Sequence, residues 1–261
     1  MISLNNIYCI DCIEGMKNID NNTIDLILTS PPYDNLRNYQ GFNFDFENTA
    51  TEMYRIIKKG GIVVWVVGDK IHNGNKSLTS FKQALYFQKI GFNMHDVMIY
   101  KKLNTPFMRS NAYTNCFEFM FVLSKGSPKT FNPLKTKTKR HGKEMLVAGK
   151  KADGINNKVL AELKEEKTLT NIWEYAVGLG GSTNDRFAFN HPAIFPEKLA
   201  QNHILSWTNE NDIVLDPMCG SGTTCKMAKL LKRNFIGFDI SQEYVDISKN
   251  SVNFINKKKT I

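Results

Sequence analysis

The sequence lacks the run of ~18–20 hydrophobic residues that a membrane-spanning helix needs. It also has little cysteine: five residues in 261, an odd number, with no recognisable secretory leader. These absences argue against a membrane span and against a fold held by disulfide bonds, and they favour a reducing compartment. We therefore expect a soluble, cytoplasmic protein.

The few cysteines also offer little for a metal site. Cys9 and Cys12 form a CxxC pair, but a zinc or redox site would need a second pair of ligands or a matching helix. The pair alternates with isoleucines, which indicates packing. We expect no bound metal.

Acidic residues are the scarcer charge type. The chain has 25 Asp and Glu against 34 Lys and Arg, which gives a formal net charge of +9 and an isoelectric point near 9.2. This sign is expected for a protein that binds a polyanion, although many basic proteins bind none. With 42% hydrophobic residues, the chain can bury the core of one large domain, with or without an insertion.

A short apolar run that ends at a double proline is the most informative stretch. Residues 24–33, IDLILTSPPY, predict a buried parallel strand followed by a stiff, extended loop. Pro31 and Pro32 fix φ and remove backbone donors, so the carbonyls before them remain available to a ligand. Tyr33 adds a flat ring, and the set suits a planar group with an exocyclic amine, such as a nucleobase. The sequence Pro31-Pro32-Tyr33 is also compatible with a rigid turn whose aromatic ring serves only for packing.

A second stretch, residues 212–224, predicts a strand that ends in an acid, a glycine-rich turn and the start of a helix. Glycines allow a ligand close to the backbone, and a helix start offers unpaired N–H groups to a carboxylate or phosphate. A phosphate-binding loop of the Walker type is excluded, because Thr223 and Thr224 follow Gly222 where that loop requires a lysine.

Two further acids end predicted strands. Asp239 ends the strand that begins at Phe235, about twenty residues after the glycine turn, where nucleotide-binding sheets place a carboxylate on ribose hydroxyls. Asp11 follows the strand that begins at Ile7. It is either a helix cap or an acceptor for an adenine amino group.

The rest of the chain completes an α/β pattern. Residues 47–59 and 77–90 predict helices, and residues 62–67 predict a buried strand. Residues 97–100 and 116–123 predict two strands too close for a helical crossover, which therefore pair antiparallel at a sheet edge.

From residue 126 to about 170 the sequence turns basic and poor in large apolar side chains. Such a run is either a solvated face or a region that grips DNA phosphates. Its cations are Lys129, Lys135, Lys137, Lys139, Arg140, Lys143, Lys150 and Lys151.

The TSPPY motif and the later glycine turn resemble those of the DNA amino-methyltransferases of the permuted β group, in which the catalytic motif precedes a target-recognition region and the cofactor loop. The resemblance implies the class I S-adenosylmethionine-dependent methyltransferase fold, an α/β fold with a mostly parallel seven-stranded sheet and an antiparallel edge hairpin. It divides the chain into a catalytic half (1–125), a target-recognition insertion (126–185) and a cofactor-binding half (186–261).

The resemblance also implies an order for the five parallel strands. They would follow one another as the strands containing Ile7, Phe235, Val214, Ile27 and Val63. The residues that follow these strands would then share one rim of the sheet: Asp11, Asp239, Asp216 and Ser30.

Roles for single residues follow from the same resemblance. Asp239 would bind the ribose of S-adenosylmethionine and Asp11 its adenine. The catalytic set is Ser30, Pro31, Pro32 and Tyr33, with Tyr33 stacked on a base flipped out of double-stranded DNA. The remaining cofactor-binding residues are Pro192, Phe195, Asp216, Met218, Cys219, Gly220, Ser221, Gly222, Thr223 and Thr224.

The residue before Pro-Pro bears on which base receives the methyl group. Among such enzymes, serine before Pro-Pro is typical of N4-cytosine methyltransferases, and Asp or Asn of N6-adenine ones, so Ser30 favours cytosine. An adenine enzyme and an inactive DNA-binding homologue remain alternatives. An RNA or protein-glutamine methyltransferase is disfavoured by the motif order. The sequence leaves open a companion restriction endonuclease and the choice between monomer and homodimer.

Overall fold

The structure, a computed structural model, describes residues 2–32, 44–105, 110–150, 152–191 and 193–258. Its strands are β1 (Asn6–Cys9), β2 (Ile24–Thr29), β3 (Ile57–Val67), β4 (Ile71–His72), β5 (Asn75–Lys76), β6 (Asn93–Lys102), β7 (Phe117–Ser124), β8 (Lys135–Lys137), β9 (Gly142–Lys150), β10 (Asn156–Leu163), β11 (Glu166–Thr168), β12 (Ile172–Tyr175), β13 (Ile213–Asp216) and β14 (Asn234–Asp239). Its α-helices are α1 (Cys12–Lys17), α2 (Phe46–Ile56), α3 (Thr79–Lys89), α4 (Glu197–Trp207), α5 (Thr223–Leu230) and α6 (Gln242–Lys258). A 3₁₀ helix spans Arg186–Asn190.

The chain forms two compact units. The large unit combines residues 1–132 with 171–261, and the small unit is residues 133–170. The small unit contains two antiparallel pairs, β8 with β11 and β9 with β10. Of the predicted insertion 126–185, the flanking residues 126–132 and 171–185 therefore belong to the large unit.

An eight-stranded sheet forms the centre of the large unit, in the order β1-β14-β13-β2-β3-β7-β6-β12. The first five strands pair in parallel, and β7 pairs antiparallel with both β3 and β6. The predicted order of the parallel strands and the antiparallel hairpin are confirmed. The sheet has eight strands where seven were expected, because β12 adds in parallel to β6 and covers the hairpin's outer edge.

The parallel strands form where they do because their side chains are buried on both faces. Leu26 and Leu28 of β2 pack with α4, α5 and α6 on one side of the sheet, whereas Ile27 packs with α1, α2 and α3 on the other. Strands covered on both faces consist of nearly continuous apolar residues, which explains the runs in β2 and β3. Among the described residues, none of these helices combines the length and apolar character that crossing a membrane requires.

The topology brings separate parts of the sequence to one rim. Asp11 follows β1, Ser30 follows β2, and Asp216 and Asp239 end β13 and β14. Since these four strands are parallel neighbours, their carboxyl ends meet at the same edge, where open α/β sheets bind ligands.

His203 of α4 is a buried histidine in the core. The centroid of its ring lies 4.7 Å from that of Trp173, and its Nε2 lies 3.2 Å from Met120 Sδ. Its Nδ1 has no hydrogen-bond partner within the described ranges. Burial lowers the pKa of His203 to about 3, because the charged imidazolium is poorly solvated there.

Because His203 is buried and neutral, we expect it to lower the free energy of unfolding in mild acid. Between the folded pKa of about 3 and the unfolded value of 6.5, the unfolded chain binds more protons. His203 alone therefore contributes a fall in the free energy of unfolding of up to about 1.4 kcal/mol per pH unit on acidification. The raised pKa of Asp216, about 6, contributes in the opposite sense over the lower part of this range. We therefore expect the urea midpoint of His203→Leu to rise relative to that of the unsubstituted protein as the pH falls from 6.5 to 5, whereas the exposed His72→Leu keeps a constant difference. Equal slopes in all three proteins would contradict this assignment.

Candidate active site

A cavity of about 580 Å³ lies at this rim. The predicted site residues that line it are Asp11, Ser30, Pro31, Pro32, Phe195, Met218, Cys219, Gly220, Ser221, Thr223 and Asp239. Asp216, Gly222 and Thr224 adjoin these residues in the chain but are not part of the lining. Tyr33 and Pro192 lie outside the described residues. One cavity thus contains residues from both predicted motifs.

The glycine turn between β13 and α5 is held against the end of β14. The N–H of Cys219 donates to the Phe238 carbonyl at 2.8 Å, and the N–H of Gly220 donates to Asp239 Oδ2 at 3.0 Å. The N–H of Gly222 closes the turn on the Cys219 carbonyl at 2.7 Å. The turn therefore has a defined shape before any ligand binds.

Both glycines of this turn are required by their backbone and by space. Gly220 and Gly222 have φ values of +49° and +81°, which side-chain-bearing residues rarely adopt. A Cβ on Gly220 would lie 2.8 Å from the His191 ring, and one on Gly222 would lie 2.8 Å from Ser248 Cα of α6. Ser248 also donates its hydroxyl to the Gly220 carbonyl at 2.6 Å, so the turn is packed from behind.

Asp239 connects the turn to the next helix. Its two carboxylate oxygens accept from the N–H groups of Gly220 and Ser241, each at 3.0 Å. Burial raises its pKa above the ordinary value, against the opposing effect of these N–H groups. Each carboxylate oxygen can accept two hydrogen bonds, so Asp239 retains capacity for a ligand hydroxyl in the cavity.

Asp216 is a buried carboxyl next to the turn. One of its oxygens accepts from the Met218 N–H at 3.2 Å. Burial raises the pKa of Asp216 to about 6. This hydrogen bond holds the backbone at Met218, where the turn begins.

Of the two alternatives that the sequence left open for Asp11, the helix cap is observed, and the acceptor for an adenine amino group stays a prediction. Asp11 Oδ1 accepts from the N–H groups of Ile13 and Glu14, at 2.9 and 3.2 Å, so it caps α1. It also lines the cavity. The cap holds the carboxylate in place without removing it from the cavity wall.

The strand β2 joins the two motifs directly. Leu26 and Ile27 of β2 are in register with Val214 and Leu215 of β13. The Thr224 hydroxyl of α5 donates to the Leu28 carbonyl at 3.2 Å. The loop Ser30-Pro31-Pro32 therefore starts beside the helix that follows the glycine turn.

His191 is a cavity residue whose role the sequence did not indicate. Its ring packs edge-on against Tyr244, with 4.4 Å between ring centroids, and its Nδ1 lies 3.1 Å from the Ala193 nitrogen. Both His191 and Tyr244 line the cavity. A single histidine beside a proline carries no local signal of this, because its partner, Gly220, is remote in sequence.

A further set of lining residues comes from the other side of β2. It comprises Gly68, Asp69, Tyr100, Lys102, Asn115 and Glu118. The sequence pattern predicts most of the strands that carry or adjoin these residues but indicates no role for the residues themselves. Their common signal is position, because all lie near strand ends at the same rim.

Only one cysteine of the CxxC pair is packed in the core. Cys12 is buried with its Sγ 3.6 Å from Thr49 Oγ1, and Cys9 is exposed. Burial raises the pKa of the Cys12 thiol to about 11, which disfavours the thiolate that a metal needs. Within the described part of the chain, no group of three or more His, Cys, Asp or Glu side chains could hold a metal ion.

A buried ion-pair cluster fixes α5, the helix that begins at the glycine turn. The ammonium of Lys226 donates to Asp185 Oδ2 at 2.5 Å and to Glu197 Oε1 at 2.6 Å. Burial lowers the pKa of Lys226, but these two hydrogen bonds outweigh it and leave the pKa raised. Thr183 also donates its hydroxyl to Glu197. The cluster ties α5 to α4 and to the segment before the 3₁₀ helix.

Comparison with known proteins identifies similar chains. Residues 24–250 match the model of the N6/N4 methyltransferase family, described as DNA methylase. The orphan methyltransferase M.BamHII of Bacillus amyloliquefaciens is 53% identical over 237 residues, which cover 89% of each chain.

Two solved structures share the fold. The PvuII DNA methyltransferase, described as cytosine-N4-specific, superposes with a TM-score of 0.69 and 19% identity over 96% of this chain and 87% of that one. The M1.HpyAVI complex with S-adenosylmethionine superposes with a TM-score of 0.63 and 26% identity over 95% of this chain and 98% of that one.

The Lys226 cluster predicts a large stability loss when its cation is removed. We expect Lys226→Met to lower the free energy of unfolding by about 3–5 kcal/mol, since Asp185 would remain as a buried, uncompensated carboxylate. Lys198→Met, on an exposed face of α4, should change it by no more than about 0.5 kcal/mol. Urea unfolding measures both, and a Lys226→Met value as small as that of Lys198→Met would refute the interpretation.

Proposed function

Since the chain belongs to the DNA methylase family, we propose that it transfers a methyl group from S-adenosylmethionine to the exocyclic N4 of a flipped cytosine in double-stranded DNA. The observation that supports this most is the single cavity shared by the Ser30-Pro31-Pro32 loop, the glycine turn and Asp239. A methyl donor bound on one side of such a cavity meets an amine held on the other.

The lining suits S-adenosylmethionine, which carries a positive charge on sulfur. Five carboxylates line the cavity against a single Lys or Arg among the described residues. The acids are Asp11, Asp45, Asp69, Glu118 and Asp239. When bound, the cofactor supplies the methyl group as an electrophile.

Each part of the cofactor has a matching group in the wall. Asp239 accepts from the ribose hydroxyls and Asp11 from the adenine amine. The backbone of the turn around Ser221 holds the methionine part, near the N-terminal end of α5, whose N–H groups favour a carboxylate. Phe195 supplies an apolar surface in the same wall.

The target amine is held by acceptors at the end of β2. Ser30 Oγ and the Pro31 carbonyl accept its two hydrogens, which draws the nitrogen lone pair out of conjugation with the ring. The nitrogen forms the new N–C bond as the C–S bond of the donor breaks, and one amine proton is lost to solvent. Tyr33, outside the described residues, has the ring to stack on the flipped base.

The choice of cytosine rests on Ser30. A neutral hydroxyl before Pro-Pro is typical of the N4-cytosine enzymes that the motif resembles. The PvuII enzyme is described as cytosine-N4-specific, but at 19% identity its likeness to this chain concerns the fold alone.

The small unit supplies a surface for the DNA backbone. Residues 133–170 contain ten Lys and Arg against five Asp and Glu. Their net charge of +5 is more than half of the chain's formal net charge of +9. Such an excess favours phosphate contacts that are independent of sequence. We further propose that this unit takes part in recognition of the target sequence, and that the protein is cytoplasmic. A companion restriction endonuclease is not part of it, since the 53%-identical relative is named an orphan methyltransferase.

The product of the reaction tests the proposed function. We expect the purified protein, incubated with unmethylated genomic DNA and S-adenosylmethionine, to form N4-methylcytosine, measured by mass spectrometry of the nucleosides. Ser30→Ala should lower the initial rate by roughly tenfold or more, because one acceptor of the amine is lost. Ser127→Ala, an exposed serine outside the cavity, is the control.

Other products would contradict parts of this proposal. N6-methyladenine would overturn the base assignment and leave the type of reaction intact. Cofactor binding without any methylated base would identify an inactive homologue.

The cofactor side is tested separately by binding. Asp239→Asn keeps the size of the side chain but removes the charge that accepts from the ribose, so we expect the Kd for S-adenosylmethionine to rise roughly 10- to 150-fold. Glu243→Gln, which removes a nearby carboxylate that does not line the cavity, should leave the Kd unchanged. Equilibrium dialysis without DNA measures both, and equal Kd values would argue against this ribose site.

A further inference from the structure

The cavity contains one ammonium group to which the proposed reaction gives no role. Lys102 is the only Lys or Arg among the described lining residues, and it shares its part of the wall with Tyr100, Asn115 and Glu118. A cation does not suit a neighbour of the sulfonium cofactor.

The sheet places Lys102 on the side of Ser30 away from the cofactor residues. In strand order, β14 and β13 lie on one side of β2, and β3, β7 and β6 lie on the other. Lys102 ends β6, and Glu118 lies at the start of its antiparallel neighbour β7, so both are at the rim where Ser30 follows β2. This is the side left for the base.

The position of the ammonium is closely defined. Its Nζ lies 2.5 Å from Glu118 Oε1 and 5.7 Å from the centroid of the Tyr100 ring. Tyr100 is buried and packs edge-on against Tyr175, whose hydroxyl accepts from Asn202 at 2.8 Å. Burial and the nearby Glu118 raise the pKa of Tyr100, so its hydroxyl stays neutral and adds no charge.

Part of the donor capacity of Lys102 remains for a ligand. An ammonium has three N–H donors, and within the described ranges Glu118 is its only hydrogen-bond partner. The side chains of Lys102 and Glu118 are 29% and 16% exposed, respectively, and both face the cavity. A partly desolvated charged donor forms stronger hydrogen bonds than one in water.

We propose that Lys102 is a specificity-determining residue, which donates hydrogen bonds to ring N3 and O2 of the target cytosine and so turns its N4 amine toward Ser30. Glu118 is a positioning residue that holds the ammonium. The inference rests on the proposed function and deepens it.

The chemistry of the two bases explains the discrimination. Beside its amine, cytosine presents two acceptors, N3 and O2. Adenine presents one acceptor, N1, followed by a C–H group. A charged donor aimed at this edge therefore gains less with adenine, and a site built to hydrogen-bond one base discriminates strongly against a base that lacks the group.

The test compares two neighbouring lysines of β6. We expect Lys102→Met to lower kcat/KM for N4-methylcytosine formation on unmethylated genomic DNA fragments by roughly 10- to 150-fold, the range for a lost hydrogen bond to a charged group. The Kd for S-adenosylmethionine should not change. Lys102→Arg, which keeps the charge, should recover most of the rate. The control is Lys101→Met, which breaks the exposed pair with Glu174 and lies outside the cavity lining.

Base preference separates recognition from a structural effect. A loss of folding would lower methylation of every base equally, whereas loss of this contact should raise the ratio of N6-methyladenine to N4-methylcytosine in Lys102→Met. An unchanged ratio, a Lys102→Met rate within twofold of the unsubstituted protein, or a weakened affinity for S-adenosylmethionine would each overturn the inference.

The methylated base that the unsubstituted protein forms distinguishes failure of this inference from failure of the proposed function. If it forms N4-methylcytosine and Lys102→Met does so equally well, this inference fails and the proposed function stands. If it forms only N6-methyladenine or no methylated base, the assignment of cytosine fails, and the role of Lys102 fails with it.

Discussion

The absence of space at two glycines is the constraint on which the cavity depends. A side chain on Gly220 would collide with His191, and one on Gly222 would collide with the backbone of Ser248. Because neither fits, the turn packs directly against Ser248 of α6 and also lines the cavity, and α5 begins immediately after it. Its hydrogen bond to Asp239 then places a carboxylate at the same edge. The shape of this part of the cavity wall follows from this packing and requires no ligand.

The second determinant is the neighbourhood of β2 and β13. These strands are about 190 residues apart in the chain, yet Leu26 is in register with Val214. The pairing brings the Ser30-Pro31-Pro32 loop beside the glycine turn, and Thr224 adds a direct hydrogen bond between the two segments. Parallel pairing thus brings together the two predicted motifs that the chain order separates.

Much of the fold could be predicted because its central strands are buried on both faces. Each of β2, β3, β13 and β14 contains an apolar run, and the acids at or just after the ends of the last three, Asp69, Asp216 and Asp239, mark the rim. The strand β12 gave no such signal, since it has four residues and only Tyr175 is fully buried. It is a strand because β6 offers an unpaired edge, which is a property of the tertiary structure.

The site could be predicted only where motifs are local. The double proline and the glycine turn carry their chemistry in consecutive residues, so sequence alone indicated them. The His191 ring lies against Gly220, which is remote in sequence. Lys102 lines the cavity and Lys101 does not, because neighbouring residues of β6 lie on opposite faces of the sheet. The face on which Lys102 lies is set by the register of Tyr100 with Glu118 across two strands, which no local pattern encodes.

A crystal structure with S-adenosylhomocysteine, the product form of the cofactor, tests the central claim most directly. We predict that the ribose hydroxyls contact Asp239, that the amino-acid part lies against the turn at Ser221, and that the sulfur faces Ser30 across the cavity. Density for the ligand at another edge of the sheet, or a ribose without contact to Asp239, would contradict this claim.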